Sequence, residues 1–110
     1  MAIQEWSEDA ILVDPPDGRF DEELNQLAQH MQQRGVRDVV LDFTHVHVLN
    51  SSCLAALLCL RRRLCDGGNR LVLCNVSKPT RGVLSVTRLE EIFEITGDRF
   101  DALATVRHRP

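Results

Sequence analysis

Two adjacent hydroxyl residues, Ser51 and Ser52, stand directly behind Asn50 and ahead of an apolar run over residues 53–60. Asn and Ser are preferred at helix starts, where a side-chain oxygen accepts from backbone N–H groups that have no partner within the helix. A hydroxyl there is reachable from solvent. A phosphate on it would meet the unpaired N–H groups and the positive end of the helix dipole. The chemistry this triplet suits is therefore phosphoryl acceptance, which adds about −1.5 to −2 charges at neutral pH and can break an interface with little change of fold. An ordinary N-cap is the plain structural alternative for the same residues.

Other chemistries find less support. His45 and His47, two apart on a predicted extended segment, share one side and would supply only half of a metal site, with no third ligand in view. Neither histidine is paired by the sequence with a serine and an acid in a hydrolytic arrangement, and no phosphate-binding or dinucleotide glycine motif is present. Of the four cysteines, Cys53, Cys59 and Cys65 repeat every six residues on one predicted helix, so successive thiols fall on opposite sides, and none forms a CxxC pair with Cys74 or another. Free buried thiols acting as small hydrophobes are expected, rather than a disulfide framework or a zinc site. No catalytic role, cofactor or metal is assigned.

The elements that must position the triplet follow from periodicity. Residues 39–63 read as a buried strand, a turn, and a helix that is apolar nearly all round, ending on Arg61, Arg62 and Arg63 and closed by Gly67 and Gly68. A helix of that kind is either buried on more than one side or exposes a patch for a partner. Upstream, residues 3–6 and 10–13 suggest a hairpin around residues 7–9, and the Pro15-Pro16-Asp17-Gly18 stretch stops the second strand. Leu24, Leu27, Ala28 and Met31 make one helical stripe behind the acids Asp21, Glu22 and Glu23, with Gly35 as its stop. The strand over 36–43 is followed by an extended or looped stretch that puts Val46 and Val48 on one side. Downstream come a buried strand at 70–74, a helix capped by Ser77 with Pro79, Val83 and Val86 along one face, a short strand at 92–95, and a helix over 98–106 with Phe100, Leu103 and Ala104 inward. The order ββαβαβαβα over one domain, residues 1–110, predicts an α/β fold: a mixed, mainly parallel sheet with helices packed on it.

Composition narrows the class of function. A net charge of −3 with five aromatic residues, one Trp and four Phe, argues against a nucleic-acid binder, which would show a basic surplus or stacking platforms. The first ten residues hold three acids and no basic side chain, unlike a secretory signal. The 53–60 run is too short to cross a bilayer. A cytoplasmic protein without membrane insertion is expected.

The run from Leu41 to Phe93 resembles the STAS domain of anti-sigma factor antagonists. The residues that carry the resemblance are Leu41-Asp42 at the strand end, Asn50-Ser51-Ser52-Cys53 where the family has Asp-Ser-Ser-Gly or Asp-Ser-Thr-Gly, Gly67-Gly68, the 71–74 strand, and Val76-Ser77. Gly18-Arg19-Phe20-Asp21 resembles the family's Gly-x-Leu-Asp entry to its first helix. The resemblance implies a partner-switching, transcription-regulating protein. An anti-sigma factor with serine/threonine kinase activity would bind the domain and phosphorylate Ser51 (ahead of Ser52), and a phosphatase would reverse the mark. It implies a partner-binding surface of Asp21, Asn50, Ser51, Ser52, Cys53 and Leu54, Asp21 matching an acid beside the same site in family members; on charge alone, apart from the resemblance, Asp21 and Asp42 would sharpen repulsion of an acidic partner surface. Asn50 and Cys53 depart from the family's aspartate and glycine. That departure keeps open an alternative: a non-switching STAS accessory subunit that binds an ABC-transporter ATPase or another multiprotein assembly.

Overall fold

The computed structural model describes residues 2–6 and 10–107. Five strands form one sheet in the order β1-β2-β3-β4-β5: β1 (Ala2–Glu5), β2 (Ala10–Asp14), β3 (Asp38–Asp42), β4 (Leu71–Cys74) and β5 (Glu94–Ile95). β1 runs antiparallel to β2, and all later pairs are parallel, with Ile11 opposite Val39 and Val39 opposite Leu71. The turn of the expected hairpin lies outside the described residues. Four helices, α1 (Phe20–Arg34), α2 (Ser51–Asp66), α3 (Lys78–Val86) and α4 (Arg99–Arg107), complete the α/β fold, with a 3-10 turn at Leu89–Glu91. Among the described residues no helix is long and apolar enough to cross a membrane.

Because strand side chains alternate, the β-branched and leucine-rich strands feed two cores. Ile11, Val13, Val39, Leu41, Leu71 and Leu73 meet α1, α2 and α3 on one face. Ala10, Leu12, Val40, Val72 and Cys74 meet Ala102, Leu103 and Val106 of α4 on the other. On α1 the expected stripe is buried at Leu24, Leu27 and Met31, and Phe20 joins it, its ring 5.4 Å from that of Phe43. The close of α2 is a Schellman turn: Asn69 N–H donates to Leu64 O at 2.7 Å and Gly68 N–H to Cys65 O at 3.0 Å, with Gly68 at φ +75.

Several expectations are corrected. β3 begins at Asp38 rather than residue 36, and β5 shrinks to two residues because the N–H groups of Ile92 and Phe93 turn back onto Leu89 O. Residues 44–49 form a loop, one of the two expected forms, but Val46 is buried while Val48 is exposed, so the two do not share a side. On α3 the inward residues are Thr80 and Leu84, and Val86 is 86% exposed. On α4, Ala102, Leu103 and Val106 face the sheet, whereas Ala104 is exposed and Phe100 is 72% exposed. The helix is rotated by its entry: Asp98 Oδ1 accepts from Asp101 N–H at 2.9 Å, and the Arg99 side chain is drawn under the sheet edge to Asp42. Of the cysteines, all free, Cys53 and Cys74 are buried but Cys59 and Cys65 are exposed, as their spacing around α2 requires.

Candidate functional site

The parallel strands β2, β3 and β4 end at one edge of the sheet, with Asp14, Asp42 and Cys74, and α1 and α2 start from that edge side by side. Asp21 of α1 and the Asn50–Ser51–Ser52 start of α2 are thus first-turn residues of two neighbouring parallel helices. Asn50 is the N-cap, its Oδ1 accepting from Cys53 N–H at 3.0 Å, and Leu54 N–H closes the first turn on Asn50 O at 3.0 Å. Ser51 and Ser52 are exposed, and no acidic residue lies in the first turn of α2. Among the described residues neither serine's backbone N–H nor its hydroxyl has a hydrogen-bond partner. The Ser51 hydroxyl is therefore open to an incoming phosphoryl group, and the adjacent N–H groups are available to it. Replacing Asn50 by Ala removes the cap and should lower stability by about 1 kcal/mol in urea denaturation, whereas Asn50→Asp should be neutral or stabilising.

The remaining predicted contact residues divide. Leu54 is half-buried against the core, and Asp21 is half-exposed, its Oδ1 accepting from Glu22 N–H at 3.0 Å. Cys53 turns inward and is 6% exposed, so its side chain packs in the core rather than on the surface and leaves the helix start unobstructed. Further along α2, Leu57, Leu60 and Leu64 are buried, so the helix is covered on one side, while Ala55 and Leu58 are exposed on the other beside Arg62.

Asp42 differs from its expected role. It is 0% exposed and cannot add to surface charge. Its Oδ1 accepts from Thr44 N–H at 2.9 Å, from the Thr44 hydroxyl, and from Asn75 Nδ2 at 3.2 Å; its Oδ2 accepts from Arg99 Nε at 3.0 Å and Nη2 at 2.7 Å. Burial would raise its pKa, but the hydrogen bonds from Thr44, Arg99 and Asn75 outweigh it and hold the carboxyl below the ordinary value. Beside it, burial and then the Asp42 charge push the Cys74 thiol up to about 12, so that sulfur stays protonated. Arg99 also lies 3.8 Å from Asp14, whose other partner, His45, is 3.9 Å away. The sequence gives one clue to this cluster: an acid closing a buried apolar strand requires a counter-charge. Nothing local points to Arg99. His47 is placed through its backbone, donating to Asp17 Oδ1 at 3.2 Å, and among the described residues no three His, Cys, Asp or Glu are grouped to hold a metal ion.

The architecture defines the class. The STAS domain family profile matches residues 17–103, and the chain belongs to that family. Solved structures agree in fold: an anti-sigma-factor antagonist (STAS) domain protein from Planctomyces limnophilus superposes at TM-score 0.81 with 20% identity, covering 96% of this chain and 97% of that one. The anti-sigma factor antagonist SpoIIAA in its unphosphorylated form matches at 0.75 with 17% identity, covering 98% of each chain. A sulfate transporter family protein from Wolinella succinogenes matches at 0.73 with 17% identity over 90% of this chain and 84% of that one. No curated protein sequence is significantly similar.

Proposed function

We propose that this protein is an anti-sigma factor antagonist-like regulator, non-catalytic and cytoplasmic, that docks an anti-sigma factor with serine/threonine kinase activity at the start of α2 and is switched by phosphorylation of Ser51. The observation that carries this reading is the exposed Ser51 at the first position of a capped 16-residue helix, at the edge of a sheet where α1 and α2 begin together. A phosphate there gains backbone donors and the helix dipole, while Asp21 on the neighbouring helix start adds to the negative field met by a partner. Solved SpoIIAA structures include a phosphorylated form, which supports the same reading for this fold. The partner surface comprises Asp21, Asn50, Ser51, Ser52, Leu54 and the exposed Ala55 and Leu58, and a phosphatase resets it. Incubation with an anti-sigma factor kinase and ATP should yield a stable complex and one phosphate located on Ser51 by mass spectrometry. Absence of both would end the reading.

A second reading is a non-switching accessory subunit for an ABC-transporter ATPase or similar assembly. Asn50 favours it: its side chain is committed to capping and carries no charge with which to orient a cation for phosphoryl transfer. Co-purification of an ATPase rather than a kinase separates the two.

A further inference from the structure

The loop that presents Ser51, residues 43–50, is tied at its start to a side chain with no exposed surface, and the cation answering that side chain comes from the opposite face of the sheet. We propose that Asp42 and Arg99 are positioning residues for Ser51: Arg99 links α4 through Asp42 to the β3–α2 loop, so the seating of the far-face helix sets how the acceptor serine is presented. The functional half of this proposal rests on the reading of Ser51 as phosphoryl acceptor; the structural half does not.

The argument is one of which part yields. The loop's own anchors are few. Phe43 N–H donates to Cys74 O at 2.9 Å, Val46 N–H to Phe43 O at 3.0 Å and His47 N–H to Asp17 Oδ1 at 3.2 Å, while Val46 and Leu49 plug the core. Both donors of Thr44 end on Asp42 Oδ1, and Oδ2 is given over to Arg99. Without the guanidinium, Asp42 and Asp14 face each other at adjacent strand ends. A buried carboxylate that loses its cation draws in water or moves toward it. β3 is pinned between the ladders of β2 and β4, and Asn75 follows β4 directly, whereas Thr44, His45, His47 and Val48 are exposed. Relief therefore comes from the loop, and the loop leads straight into the Asn50 cap.

Amide hydrogen exchange on the full chain tests the coupling without any partner. Arg99→Gln should speed exchange of the hydrogen-bonded amides of Thr44, Val46, His47 and Cys53 by about tenfold while those of β3 and β4 hold, Arg99→Lys should return most of the protection, and Thr44→Val should loosen the loop without loosening α4. Faster exchange confined to α4, or an equal rise along the whole chain, would overturn the proposal; should Arg99→Gln fail to fold, Thr44→Val decides by the same pattern, and loss of loop protection in Arg99→Lys would overturn it. With a kinase that phosphorylates the wild-type chain, kcat/KM for Ser51 should fall about tenfold in Arg99→Gln and recover in Arg99→Lys. Unchanged phosphorylation of a loosened variant would overturn the positioning role. A wild-type chain that no anti-sigma kinase phosphorylates would instead remove the acceptor reading, with the exchange pattern still deciding the coupling.

Discussion

Replacing Asp42 by Ala should lower the free energy of unfolding by about 3 kcal/mol and Tm by about 10 °C or more, measured by circular dichroism in urea and on heating. Removing one member of a buried, hydrogen-bonded ion pair is among the most destabilising single changes, because the partners lose both charge and acceptors. Here the Arg99 side chain is 35% exposed and can turn to water, which holds the effect toward the lower end of the range. The donors left behind are Thr44 N–H, the Thr44 hydroxyl and Asn75 Nδ2, which all end on a carboxylate with no exposed surface. Asp42→Asn should fall between: it can still accept from Thr44, but its amide would meet Arg99 donor to donor. The pH dependence has a definite sign. The folded pKa of Asp42 lies below its unfolded value, so its stabilisation is fully present above the ordinary carboxylate range and is lost as pH falls through that range toward the lower folded value. Wild type should therefore lose stability steeply below about pH 4, and Asp42→Asn should show a shallower acid limb. The groups facing this carboxylate are Arg99, Asp14 and the protonated thiol of Cys74, with His45 beyond Asp14. Parallel acid limbs for wild type and Asp42→Asn would show that the pair adds nothing.

What the amino-acid order reveals on its own is what is local. Val39, Val40 and Leu41 form a continuous apolar run that only a strand covered on both faces tolerates, and residue 51 follows a capping asparagine, so strand, cap and helix can be read without the fold. The α1 stripe is equally legible because a surface helix on a sheet needs one apolar face. The rotation of α4 is not. Phe100 is its most hydrophobic early residue and looks like a core anchor, yet the helix turns it outward because Asp98 caps the first turn and Arg99 must reach a carboxylate 57 residues earlier. Val48 misleads for a related reason: an alternation rule holds only where a ladder enforces it, and residues 44–49 have none. The surface part of the site, Asn50 to Ser52, was therefore open to reading, while the buried cluster behind it was not. That cluster exists only once β2, β3, β4 and α4 are in place.

Ser51→Asp should bind the proposed partner, an anti-sigma factor kinase, about 30- to 100-fold more weakly than wild type, while Ser51→Ala should stay within about threefold of it, by titration calorimetry or surface binding. The estimate follows from charge. A unit charge about 5 Å from a like charge at an effective dielectric near 20 costs about 3 kcal/mol before screening, and a true phosphoserine carries more. High salt should narrow the gap between Asp and Ala, since screening acts on exposed charges. Stability moves the other way. Asp at the first position of α2 faces the positive end of the helix dipole in a turn that has no other acid, so the variant should be more stable than Ser51→Ala by about 0.3–1 kcal/mol. Weaker binding by a more stable protein excludes unfolding as the cause. It leaves repulsion at the docking surface, reinforced by Asp21 on the adjacent helix start, as the means of release. Equal binding by wild type, Ala and Asp forms would mean that the helix start is a docking surface without a switch. The chain would then act as an accessory subunit that keeps the interface and the cap of Asn50 but has no use for the hydroxyl.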